Sequence, residues 1–218
     1  MIKLEKTSVD GFESAIRGMR NPLNSWDKSD SRVEEIYGIG YEFVIGSKDL
    51  ELAKKLCKAG SDHRKFMRQI FVSVDVTAPM YWWAEADTYK IGTVRNSCSK
   101  MHKIHSKPIE LSDFSIDDHV VVEDGSIELT LEDYFINVVA DCEMLRQKFL
   151  ETKDKRYWKG LIQLLPASYN QLSTLTLNYE TLTNIYHARK HHKLDEWVDF
   201  CKWIESLPYS ELITGGKE

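Results

Sequence analysis

The residues best suited to chemistry fall in two polar segments. The first runs from Ala78 to Met101, where an apolar stretch that ends near Glu85 gives way to Thr88, Tyr89, Lys90, Thr93, Arg95, Asn96, Cys98 and Lys100. The second holds Asn178, Asn184 and Arg189. Amide groups donate and accept hydrogen bonds, and a guanidinium can grip a phosphate or carboxylate with two parallel bonds. An anionic ligand would need such local cations, because the chain as a whole carries a formal charge of −5. Read as one helix, the second segment turns roughly 240° from Asn178 to Asn184 and roughly 140° from Asn184 to Arg189. The three therefore share no narrow stripe. They flank one pocket only if the helix is deeply embedded, and are otherwise solvated helix residues. Glu180, Thr181 and Thr183 are equally polar.

His187 and His191 lie one helical turn apart, which invites a metal reading. There is no glutamate between them in a metalloprotease arrangement, and Lys190 and Lys193 surround them with positive charge. Together with His192 they read as solvated or anion-facing histidines, and no metal site is expected. His63, His102 and His105 carry no ligand pattern.

The elements that position these groups belong to an ordinary globular chain of 218 residues, 42% hydrophobic and 29% charged. Such a chain buries a sizeable core without staples, as one domain over 1–218 or a domain with an excursion. The acidic balance argues against general nucleic-acid or membrane-surface binding. The four cysteines, 57, 98, 142 and 201, lie too far apart for a zinc knuckle or redox pair, and reduced thiols are expected. Residues 1–10 lack the apolar stretch of a signal peptide, and no apolar run approaches the roughly 20 residues of a membrane span. A cytoplasmic protein is expected.

Lys3 to Gly11 reads as a short strand and turn, and Ser14 to Arg20 as a helix stopped by Asn21-Pro22. Asn24 to Ser31 reads as a polar loop. Leu50 to Ala59 has a helical pattern closed by Gly60. Residues 70–76 read as a strand, Trp82 to Tyr89 fits strand and helix alike, and Asn96 to His105 reads as loop and turn. Ile109 to Asp124 is acidic and irregular, so a surface excursion is expected near 106–128. Leu129 to Thr152 is helical, with Leu131, Tyr134, Phe135, Val138, Val139, Cys142, Leu145 and Phe149 on one buried face. Trp158 to Leu165, Thr174 to His191 and Lys193 to Ser206 are predicted as further helices, the last with Trp197, Phe200, Cys201 and Ile204 inward. Few strands and several long helices predict an α+β protein with helices on a small, mostly antiparallel sheet. Trp82 and Trp83 read as core or subunit-interface aromatics.

Three runs of residues carry a resemblance. Val76-Thr77-Ala78-Pro79 continues without gaps to Ile91-Gly92-Thr93 and on to Lys100-Met101. Leu164-Leu165-Pro166 is followed by Thr176-Leu177-Asn178, Leu182, Asn184 and Arg189. Ser14-Ala15-Ile16-Arg17 with Arg20 lies near the start. In order and spacing these resemble the nucleotide-facing segments of the flavin-dependent thymidylate synthases, the ThyX family. The family's arginine-histidine-arginine triplet falls here on Thr88, Tyr89 and Lys90. Its first serine becomes Thr93, its asparagine-glutamate pair Arg95 and Asn96, its later serine Cys98 and its closing arginine Lys100. A family glutamine before the triplet becomes Glu85. Further family arginines are replaced by Ile162 and Glu180.

The resemblance implies a ThyX-like fold, a homotetramer with nucleotide sites assembled from several subunits, and a pyrimidine nucleotide as ligand. It implies substrate contacts at Arg189, Glu85, Asn96, Cys98 and Lys100, with Arg189 as phosphate anchor. It implies contacts to flavin adenine dinucleotide (FAD) at Thr88, Tyr89, Lys90, Thr93, Arg95, Asn178 and Asn184. No catalytic residue is assigned. NADPH and methylenetetrahydrofolate are the co-substrates if the family reaction, reductive one-carbon transfer to dUMP, is kept. Stacking of Trp82 or Trp83 on an isoalloxazine or a base is the alternative to a core or interface role. Glu180 is expected to repel a pyrophosphate if it faces the site. Three functions follow: a divergent thymidylate synthase, a flavoenzyme for another pyrimidine nucleotide, or a non-catalytic nucleotide- or protein-binding module.

Overall fold

A computed structural model describes residues 2–38, 40–116, 121–124 and 127–215. In chain order the elements are β1 (Lys3–Asp10), α1 (Phe12–Arg20), β2 (Arg32–Ile36), β3 (Gly40–Val44), α2 (Ser47–Lys58), β4 (Phe71–Pro79) and α3 (Met80–Ala86). Then come β5 (Val94–Ser97), α4 (Lys100–Lys103), β6 (Val121–Asp124), β7 (Ile127–Thr130), α5 (Leu131–Thr152) and α6 (Lys155–Leu164). The chain continues through β8 (Asn170–Asn178), α7 (Tyr179–Arg189), α8 (Asp195–Glu205) and α9 (Glu211–Thr214). The fold is α+β, with a small, mostly antiparallel sheet and long helices. The central sheet has the order β1-β4-β8-β5, and β2-β3 and β6-β7 are antiparallel hairpins. Among the described residues no helix is long and apolar enough to cross a membrane.

Period-two burial makes the inner strands. Along β4, Val72, Val74, Val76 and Ala78 are buried and alternate with more accessible residues. Along β8, Gln171, Ser173, Leu175 and Leu177 are buried, while Leu172 and Thr174 point outward. This corrects the helix predicted over 174–191. Its first residues are strand, because Thr174 and Thr176 separate the inward Leu175 and Leu177, a register that only a pleated chain can bury on one side. Asn178 ends that strand and caps α7, which ends at Arg189.

The structure divides into two compact units, one of residues 1–3, 76–87 and 96–173, the other of 4–75, 88–95 and 174–218. In the first, a core of Ile104, Ile109, Phe114, Cys142 and Leu161 is packed by Phe135, Val138, Val139, Leu145 and Trp158. Thr130 and Asp133 cap the 22-residue α5 reciprocally, each side chain accepting from the other's backbone N–H. Of the predicted buried face of α5, Cys142 is buried, Leu131, Phe135, Val138, Val139, Leu145 and Phe149 are half-buried, and Tyr134 is 45% exposed. Trp82 and Trp83 are buried core residues in edge-to-face contact, 4.9 Å between ring centroids. Ile109 and Phe114, inside the expected excursion, are buried in this core. Residues 117–120 and 125–126 of that excursion lie outside the described residues.

In the second unit α8 presents Trp197, Phe200, Cys201 and Ile204 inward as the spacing predicts. The polar stretch before β2 is tied down by a buried carboxylate. Asp49 accepts hydrogen bonds from Arg20 Nε at 2.5 Å, from the hydroxyls of Ser29 and Ser31 at 2.6 Å each, and from the backbone N–H groups of Asp30 and Ser31. Burial alone pushes the Asp49 pKa up. The hydroxyls and the guanidinium outweigh it and hold the carboxyl below its usual range.

Candidate functional site

In the second unit the loop of residues 88–95 lies on the first turn of α7. Asn178 Oδ1 accepts from the Thr181 N–H at 2.9 Å, the bond expected of an asparagine N-cap. Thr181 Oγ1 donates to the Ile91 carbonyl at 2.8 Å and so fastens the loop to the helix. Gly92 makes this approach possible. Its φ is +69°, and a Cβ there would stand 2.2 Å from Asn178 Nδ2.

The same loop delivers Tyr89 to Arg189. Arg189 Nε donates to Tyr89 Oη at 2.9 Å, and its Nη1 lies 2.9 Å from His192 Nε2. The guanidinium carbon sits 4.7 Å from the centroid of the Trp197 ring and 5.7 Å from that of Tyr89. Such cation–π contacts fix a guanidinium in one orientation without cancelling its charge. Position adds to this, since the C-terminal turn of a helix favours a cation. Tyr89, expected at the cofactor, is in this structure a clamp on Arg189. The sequence reads His192 only as solvated or anion-facing and Trp197 only as an inward helix residue, and marks neither as a partner of Arg189. Their signal is only that α8 begins soon after α7, which returns its inward residues to the end of α7.

Along the first two turns of α7, Arg64 Nε meets Glu180 Oε1 at 3.1 Å, and Arg64 Nη2 reaches Asn184 Oδ1 at 3.5 Å. Glu180 and Asn184 are one turn apart and so share a helix face. Arg64 and Glu180 are buried, whereas Asn184 is exposed. The charge of Glu180, expected to repel a pyrophosphate if it faces the site, is answered here by a guanidinium it touches, and the first turn of a helix favours an acid. Glu180 Oε2 and Thr93 Oγ1 are buried and have no hydrogen-bond partner among the described residues. Thr88 and Lys90 are exposed and Arg95 is half-buried. Asn178, expected to face a flavin, is buried, and its Oδ1 is used in capping α7.

The first unit holds the remaining expected substrate contacts. Glu85 is half-buried on α3, and Asn96 is exposed in β5. Cys98 is exposed; its N–H donates to the Leu172 carbonyl at 2.9 Å, and its carbonyl accepts from Gln171 Nε2 at 2.7 Å. Lys100 opens α4, and its side chain lies outside the described residues. Cys57, Cys142 and Cys201 are buried, and burial pushes their thiols up to about 12, 11 and 11. No histidine, cysteine and carboxylate group that could hold a metal ion occurs among the described residues.

No protein-family model and no curated protein matches the sequence. Solved structures do match. ThyX from Helicobacter pylori, crystallised with FAD and dUMP, is 18% identical, with a TM-score of 0.69 and 99% of each chain covered. PolB from Streptomyces cacaoi, a UMP/dUMP methylase bound with 5-Br dUMP, is 14% identical, with a TM-score of 0.65 over 99% of this chain and 94% of that one. With 5-Br UMP it matches at a TM-score of 0.64 and 13% identity, over 99% of this chain and 95% of that one. The chain thus has the ThyX-like fold.

Proposed function

We propose that this protein of ThyX-like fold binds a pyrimidine nucleotide and, with FAD, acts on it as a divergent relative of the flavin-dependent thymidylate synthases. The observation that carries the reading is the fixed guanidinium of Arg189, held against Trp197 and Tyr89 in the unit that also carries the 88–95 loop. A preoriented guanidinium suits a phosphate, because its donors need no reordering on binding. We assign the phosphate contact to Arg189 and further substrate contacts to Glu85, Asn96, Cys98 and Lys100. The homotetramer and a cytoplasmic location belong to the same reading. The assembly is supported by Ile136 and Met144, 55% and 54% exposed on α5.

The unmet groups near the start of α7 fit the polar edge of a flavin. Asn184 offers an exposed amide, and the orphaned oxygens of Thr93 and Glu180 call for donors. Thr88, Tyr89, Lys90, Arg95 and Asn178 complete the proposed cofactor contacts, Asn178 and Tyr89 indirectly through Gly92 and Arg189. Once reduced by NADPH, a bound FAD would supply hydride, and methylenetetrahydrofolate would supply the carbon.

A second reading, a nucleotide- or protein-binding module without catalysis, is favoured by the thin positive charge. Lys90 is a single point charge where the family has paired arginine forks, and Arg64 is committed to Glu180. Visible flavin absorbance in the purified protein, or its appearance on FAD titration, supports the first reading. Its absence at any FAD concentration supports the second. Rescue of a thymidine auxotroph separates thymidylate synthesis from chemistry on another pyrimidine nucleotide.

A further inference from the structure

The first unit contains a cavity that shares only Cys98 with the proposed nucleotide and cofactor contacts. It offers about 350 Å³ beside Cys98, within the range of small-molecule sites. Its walls come from the end of β4, the turn around α4, the 3-10 turn of Leu111–Asp113 and the start of β8. Two lysines reach it, and only one of them is neutralised. Lys107 Nζ lies 2.5 Å from Asp113 Oδ1, and Asp113 Oδ2 accepts the Glu110 N–H at 3.0 Å, so both carboxylate oxygens are occupied. Lys103 has no acidic partner among the described residues. The cavity is thus locally cationic in an acidic protein.

Among the other polar groups of the lining, Asn170 and Ser99 can donate. Asn170 Oδ1 is taken by the Ser115 hydroxyl at 2.9 Å, which leaves its Nδ2 protons to donate. Ser99 Oγ accepts the His102 N–H at 3.3 Å, which leaves its hydroxyl proton free to turn inward. Tyr169, Ile104 and Leu172 add apolar wall. One ammonium with neutral donors, and no guanidinium fork, matches a singly charged carboxylate better than a dianionic phosphate. We propose that this cavity binds a small aromatic carboxylate, its charge on Lys103 and its ring against Tyr169 and Leu172.

Cys98 lines the cavity and is exposed, while the other cysteines are buried, so its alkylation reports occupancy. The full-length protein is treated with iodoacetamide, and Cys98 modification is followed by mass spectrometry with benzoate, benzamide or phenyl phosphate added. Benzoate is expected to slow modification at least threefold at saturation, and benzamide, its neutral isostere, to have no effect. Lys103→Gln should abolish benzoate protection while Cys98 in the variant reacts within about twofold of wild type without ligand. Equal protection by benzamide, protection that survives Lys103→Gln, or no protection by millimolar benzoate would each overturn the proposal. Stronger protection by phenyl phosphate would overturn the carboxylate assignment. None of these outcomes depends on Arg189, so failure of the nucleotide reading is separately detectable.

Discussion

Arg64 and Glu180 form an ion pair whose side chains are 5% and 10% exposed, with Nε and Oε1 3.1 Å apart. They are 116 positions apart in the chain. The pair accounts for an acid where the resemblance expects an arginine: a cation arrives from another segment and takes the acid as its partner.

Placing arginine at 180 would set two buried guanidiniums side by side. Breaking a buried pair costs about 3–5 kcal/mol, since one charge is left uncompensated. Glu180→Arg is therefore expected to lower the urea midpoint strongly rather than simply tighten flavin binding. Arg64→Glu combined with Glu180→Arg should recover part of the loss. Urea unfolding of the single and double variants checks this; a Glu180→Arg protein as stable as wild type would contradict it.

Gly92→Ala should loosen the 88–95 loop. The substitution requires a left-handed backbone at φ +69° and sets a methyl against Asn178 Nδ2. The backbone strain alone is worth about 1–2 kcal/mol. Thermal unfolding should shift down by a few degrees, and proteolysis in the loop should speed up. An unchanged cleavage rate would show that the loop is not held by this approach.

Acid stability should depend on Glu143. Hydrogen bonds from Arg146 pull its pKa down to about 2, against desolvation and helped by the Ile109 N–H and Gln147. A depressed carboxylate stabilises the fold above its unfolded pKa, about 4.3, and that stability is lost as pH falls through the folded value. By linkage this is worth about 2–3 kcal/mol. Urea midpoints from pH 6 to pH 2 should fall more steeply for wild type than for Glu143→Gln, and the two should converge near pH 2. Parallel curves would remove the linkage.

Much of this architecture is legible in the sequence, for reasons visible at particular residues. Trp197, Phe200, Cys201 and Ile204 follow helical spacing and are buried as predicted. Strand β8 is missed because its inward positions include Gln171 and Ser173, polar groups that carry no apolar alternation. The β2-β3 hairpin gives little signal because its apolar residues are divided, Val33 and Tyr41 being 56% and 79% exposed while Ile36, Phe43 and Val44 are half-buried. In the candidate site, the polar segments themselves are readable, and the structure fastens the 88–95 loop to the first turn of α7. The clamp on Arg189 and the partner of Glu180 are not readable, because Trp197, His192 and Arg64 reach the site through tertiary packing rather than local spacing.

Calorimetric titration of dUMP into wild type and Arg189→Ala tests the nucleotide assignment most directly. A lost charged hydrogen bond is worth about 1.5–3 kcal/mol, so binding should weaken at least tenfold. Losing the stacking on Trp197 should lower the melting temperature by only a few degrees. Arg189→Lys, which keeps charge without the fork, should fall between the two. Equal affinity of wild type and Arg189→Ala for dUMP, or no binding by a folded wild type, would contradict the account.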